Sequence, residues 1–191
     1  MSTLSPEEAR QALGEIDSIS RQTRLAVQSR LVSTILMLWG VLWVVIFTSA
    51  YLAPSYSGRI AWVLNSFGFL SMAFLVARQS RQLHQDAGRT QAILMATLWA
   101  ALLVYAILLP YLLVRSWTAR LTLMLCTVML GYVLQGIWLR DRVFVFIGLF
   151  ITAVALACHA WLSPPHFLLG LGLLGGGALF AGGLVIRLRW K

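Results

Sequence analysis

Six stretches without a single Asp, Glu, Lys or Arg, at 31–53, 60–77, 92–114, 121–139, 143–162 and 167–186, constrain this chain more than any other feature. Each is 18 to 23 residues long. A helix rising 1.5 Å per residue crosses a hydrocarbon layer of about 30 Å in about 20 residues, so each run has the length of one span. Lipid offers the backbone no hydrogen-bonding partner, and a continuous apolar run of that length must therefore close its own bonds as a helix. The expected fold class is all-α, a polytopic membrane protein of six transmembrane helices arranged as three hairpins.

These runs take up nearly two thirds of the 191 residues, and charged residues are only 11% of the chain. The longest remaining aqueous piece is residues 1–30, shorter than the roughly 40 residues below which a chain rarely folds without disulfides or metal. The expected organisation is a cytosolic amphipathic helix over 1–30, a membrane bundle over 31–186 and a basic tail over 187–191. The N-terminal segment begins with Glu7 and Glu8 rather than a basic stretch and leads into a 23-residue run, so it is not expected to be a cleaved signal peptide.

The net charge of +9 does not point to nucleic acid, because the basic residues bracket the spans instead of forming one stripe. They report topology. Arg10, Arg21, Arg24, Arg30, Arg78, Arg81, Arg89, Arg140, Arg142, Arg187, Arg189 and Lys191 fall on one side; Arg59, Arg115 and Arg120 fall on the other. The positive-inside rule then puts both termini in the cytoplasm. Fourteen arginines against one lysine fit a GC-rich bacterial genome, and the expected location is the inner, cytoplasmic membrane.

Ahead of the first run, Ser5 and Glu8 form a capping box around Pro6 at the first helical position. Acidic residues lie early (Glu7, Glu8, Glu15, Asp17) and arginines late (Arg21, Arg24, Arg30), which complements the helix dipole. Leu13, Ile16 and Val27 recur at helical spacing and give this segment a mildly apolar face. Two uses of residues 5–30 are open: a helix lying on the lipid headgroups, or a docking face for a membrane or cytosolic protein.

The last run contains GLGLLG at 170–175, by letter the fingerprint of a dinucleotide-binding turn. That turn needs a preceding strand and an acidic residue about 20 positions on, whereas the last acidic residue here is Asp141. Packing explains the glycines instead. Gly172 with Gly176, and Ala178 with Gly182, are small residues four apart of the kind that lets helices approach closely, in the same chain or in a homo-oligomer.

With no charge in the runs, an ion-coupled transporter lacks its usual binding group. Asn65, Ser71, Tyr105, Pro110, Tyr132 and Gln135 are the candidate polar or helix-opening positions lining the bundle, and the default role of the two amides is interhelical hydrogen bonding. Cys158, His159 and His166 are the nearest thing to a metal set, but neighbouring helical residues point about 100° apart and no carboxylate accompanies them. No metal, cofactor or catalytic constellation is expected, and hence no enzyme. The sequence reads as a non-enzymatic accessory or interaction subunit within the lipid bilayer, the alternative being a small permease for an apolar or weakly polar solute. Ile35-Leu36-Met37 is echoed by Ile93-Leu94-Met95, a similarity that unrelated apolar helices also produce by chance.

Overall fold

A computed structural model describes residues 6–82 and 86–189; within its helices the side chains of 6–13, 15–28 and 79–92 lie outside the described residues. The elements are α1 (Pro6–Leu52), α2 (Pro54–Gln82), α3 (Asp86–Leu113), α4 (Trp117–Leu139), α5 (Arg142–Trp161) and α6 (Pro164–Arg189). All six contain a segment long and apolar enough to cross a membrane, and there is no strand among the described residues. The chain has the architecture of a multi-pass membrane protein.

Helix boundaries follow local chemistry and differ from the charge-free runs, most clearly in the first, second and sixth helices. The segment ahead of the first span is not a separate element: α1 runs unbroken for 47 residues, about 70 Å, because neither Gly nor Pro interrupts residues 15–39. The second span begins at Pro54 rather than 60, since Ala53 precedes a proline and leaves the helical region while Pro54 starts the next helix without needing an N–H. The same logic starts α6 at Pro164, and its other end takes in residues 187–189 of the expected tail. The α4–α5 connection is Arg140 and Asp141 alone. Arg140 is left-handed (φ 54°, ψ 34°) and closes α4 by donating to Ile137 O, while the Asp141 carboxylate accepts the Val143 N–H at 2.9 Å and caps α5.

Four spans make the core and two flank it. In one cluster Leu36 of α1 meets Met129 of α4, Phe144, Ile147 and Ile151 of α5, and Leu179 and Ile186 of α6. A second cluster, including Leu125, Ala155, Phe167 and Leu171, joins α4, α5 and α6. Only 6% of the α2 span and 11% of the α3 span is buried, against 28% to 44% for the others. Thus α2 leans on α1 and α3 leans on α4, and although consecutive they form no packed interface with each other among the described residues. The dominant pairings, α4 with α5 and α1 with α6, include one between helices distant in the chain, so hairpins alone do not organise the bundle.

The flanking helices dock by one repeated device. Trp39 and Leu42 of α1 lie against Gly68 of α2, and Trp99 and Leu102 of α3 lie against Gly131 of α4, where a Cβ would come within 3.3 Å of both partners. Each is a Trp-x-x-Leu edge laid over a glycine, close in sequence to the Ile-Leu-Met echo.

Candidate functional site

The glycine-rich stretch sits where α6 meets α1, and its backbone is a π turn over Leu171–Gly176 between α-helical segments Pro164–Gly170 and Gly177–Arg189. Gly172 and Gly176, four residues apart, both face α1. A Cβ on Gly172 would lie 2.8 Å from Phe47 Cβ; one on Gly176 would lie 2.8 Å from Gly40 O; one on Gly183 would lie 2.7 Å from Ser33 O. Three glycines of α6 therefore let two backbones touch. Ala178 and Gly182, by contrast, belong to the α5 side: Ala178 packs on the first core cluster, and a Cβ on Gly182 would strike Ile147 Cδ1 at 2.2 Å. Gly40, the reciprocal partner on α1, was not singled out by spacing because it has no small neighbour four residues away.

Most polar residues of the spans with a described partner are satisfied within their own helix, one pair bonds across helices, and the buried Thr48 Oγ1 has no hydrogen-bond partner among the described residues. Asn65 Nδ2 donates to Ala61 O at 2.7 Å, one turn back on α2. The expected interhelical use of this amide is thus not what its geometry shows. Buried Ser33 and Thr122 likewise donate to Arg30 O and Thr118 O of their own helices. Gln135 differs: its Oε1 accepts the Trp99 indole N–H at 3.1 Å, joining α3 to α4. Trp99 meets Tyr132 edge-on at 5.4 Å, and Tyr132 stacks on Phe144 at 6.1 Å, so Tyr132 and Gln135 share one aromatic seam across α3, α4 and α5.

The remaining lining candidates stand apart from that seam. Ser71 is half-buried on α2, which packs chiefly on α1, and Tyr105 is 58% exposed on α3. Pro110 is buried four residues beyond buried Ala106, on the face of α3 that meets α4, and the helix continues past it to Leu113. Beyond it, Arg120 Nε donates to Val114 O and its guanidinium lies 5.3 Å over the Tyr111 ring, closing the α3–α4 turn. The six positions do not converge on one cavity wall.

Cys158, His159 and His166 go separate ways. Cys158 is buried beside Gly170, His159 lies edge-on to Phe167 at 6.1 Å, and His166 pairs with Ser163 Oγ at 2.8 Å near the Tyr51 ring. Among the described residues no three His, Cys, Asp or Glu side chains lie close enough to hold a metal ion. Leu13, Ile16 and Val27, the expected docking face, are in α1, but their side chains lie outside the described residues.

A groove of about 430 Å³ opens between α5 and α6, with Arg142 and Arg189 at one end. Sequence reasoning missed it. Its two arginines are 47 positions apart and lie in different loops of the topology count, and only the pairing of α5 with the end of α6 brings them to one rim.

No protein-family model matches the chain, and no curated protein or solved structure is significantly similar to it.

Proposed function

We propose that this chain is an integral protein of a bacterial cytoplasmic membrane, with both termini in the cytoplasm, acting as a non-enzymatic accessory or interaction subunit. The observation that carries the reading is the unbroken α1. It continues for 23 residues, about 35 Å, ahead of its own span at Ser29. A helix without Gly or Pro at the membrane boundary has no hinge at which to fold down onto the headgroups. That favours an arm standing off the membrane, ready for a partner, over a helix lying on it. The thinly buried α2 and α3 supply two further apolar faces for a second membrane protein.

Amides and hydroxyls in the described spans mostly hydrogen-bond to the backbone of their own helices, as groups with a structural role do. Photo-crosslinking amino acids at Leu13, Ile16 and Val27 test the proposal in intact cells, and a mild-detergent pull-down of the chain with and without residues 1–28 tests it independently. The expected result is one discrete crosslinked adduct per position, and loss of that same partner from the pull-down of the deletion variant, while the bundle still inserts. An unchanged set of partners after the deletion refutes it. A water-accessible stripe of cysteine labelling along α2, α3 and α4 would instead favour the permease.

A further inference from the structure

The groove between α5 and α6 has a composition that a protein interior would not need. Phe146 and Phe150 stack at 5.9 Å along one wall, and Phe146 is 68% exposed. Ala181 and Gly182 make the opposite side shallow. One end is closed by charge: Arg142 opens α5 and Arg189 ends α6, both exposed, and both border the same space. The Asp141 carboxylate, next in sequence to Arg142, is engaged by the Val143 N–H as the cap of α5. Among the described residues neither guanidinium has an ion-pair partner. An apolar trough about one ligand in volume, ending in two cations at the level where a span leaves hydrocarbon, matches a molecule with a long apolar tail and an anionic head.

We propose that this groove is a specific site for an anionic phospholipid, with one acyl chain along Phe146, Phe150 and Ala181 and the phosphate between Arg142 and Arg189. Arginine suits the role because its planar fork donates two parallel hydrogen bonds to phosphate oxygens. A zwitterionic lipid fills the trough equally well but brings its own cation to the same rim. A helix from a second copy fits the small floor, but the six apolar runs of this chain carry no acidic residue to meet the two arginines. The lipid lies in the leaflet on the side of the C-terminal end, which is the cytoplasmic leaflet if the topology proposed above holds.

The test is native mass spectrometry of the full chain in mild detergent, titrated with phosphatidylglycerol or phosphatidylcholine of identical acyl chains. The wild type is expected to retain phosphatidylglycerol in preference. Each arginine near a membrane surface is worth about five-fold in affinity for an anionic lipid, so Arg142→Gln with Arg189→Gln should weaken phosphatidylglycerol about thirty-fold and phosphatidylcholine, whose choline offsets its phosphate, far less. Arg59→Gln with Arg115→Gln removes the same charge from the other rim and should change nothing. Ala181→Phe, at an exposed position that fills the trough, should weaken both lipids while helix content is kept. Equal retention of the two lipids by the wild type overturns the proposal. So does undiminished phosphatidylglycerol binding by the double variant, displacement of lipid by equimolar inorganic phosphate, or a dimer mass that appears as lipid is lost. Binding in detergent does not depend on which way the chain inserts, so failure here leaves the topology standing.

Discussion

Replacing Gly176 and Gly177 in turn separates packing from backbone propensity at a single point in α6. A Cβ on Gly176 would sit 2.8 Å from Gly40 O, 2.9 Å from Val44 Cγ2 and 3.0 Å from Val44 N, and two of those three atoms are backbone that no rotamer change can move. Carbon atoms prefer about 3.5 to 4.0 Å, so α1 and α6 would have to part by several tenths of an ångström along their closest approach. One residue on, a Cβ on Gly177 meets nothing within 4 Å. Both substitutions to Ala gain the same helix propensity, up to about 1 kcal/mol in water, which cancels in the comparison. What remains is the cost of overpacking, about 1–3 kcal/mol, expected for Gly176→Ala alone. Unfolding titrations in mixed micelles with increasing dodecyl sulfate measure the difference directly. Leu in place of Ala should widen the gap, because the longer side chain at 177 has room to extend. Equal stability of the two Ala variants would refute the inference that backbone contact between α1 and α6 requires glycine at 176.

Other consequences follow from particular contacts. Arg140 adopts a left-handed conformation at the end of α4, so Arg140→Gly should stabilise the fold by about 1 kcal/mol in the same titration, and no gain would mean the strain is absent. The Trp99–Gln135 hydrogen bond between α3 and α4 should give a coupling of about 0.6 kcal/mol in a double-mutant cycle of Trp99→Phe with Gln135→Leu; additive effects would remove it. Phe167 is 1% exposed and joins α6 to α4 and α5, so Phe167→Ala should cost about 3–5 kcal/mol in stability, and a loss under 1 kcal/mol would contradict its place in the core. For topology, green fluorescent protein fused after Lys191 should fluoresce and alkaline phosphatase there should be silent; the reverse result overturns the cytoplasmic placement of the C-terminus.

Much of this molecule was legible before any coordinates. The absence of charge over six span-length runs requires six helices, because lipid leaves an unpaired backbone no alternative. Pro54, Pro164 and Asp141 carry local start signals, φ restriction and capping, that the charge-free runs beginning at 60, 167 and 143 did not use, so those helix starts came from the structure. Gly172 and Gly176 announce a close approach of backbones.

Neighbour choice was not legible. In water a buried face is more apolar than an exposed one, but in lipid both are apolar, so Phe146 facing the outside and Ile147 facing the core look alike in sequence. Only tertiary packing decided that α1, α4, α5 and α6 form the core while α2 and α3 lean on it, and that Gly40 is what Gly176 meets. The same packing set Arg142 beside Arg189. Span formation is a local demand that each segment answers by itself, whereas partner choice depends on contacts of a few tenths of an ångström between residues far apart in the chain.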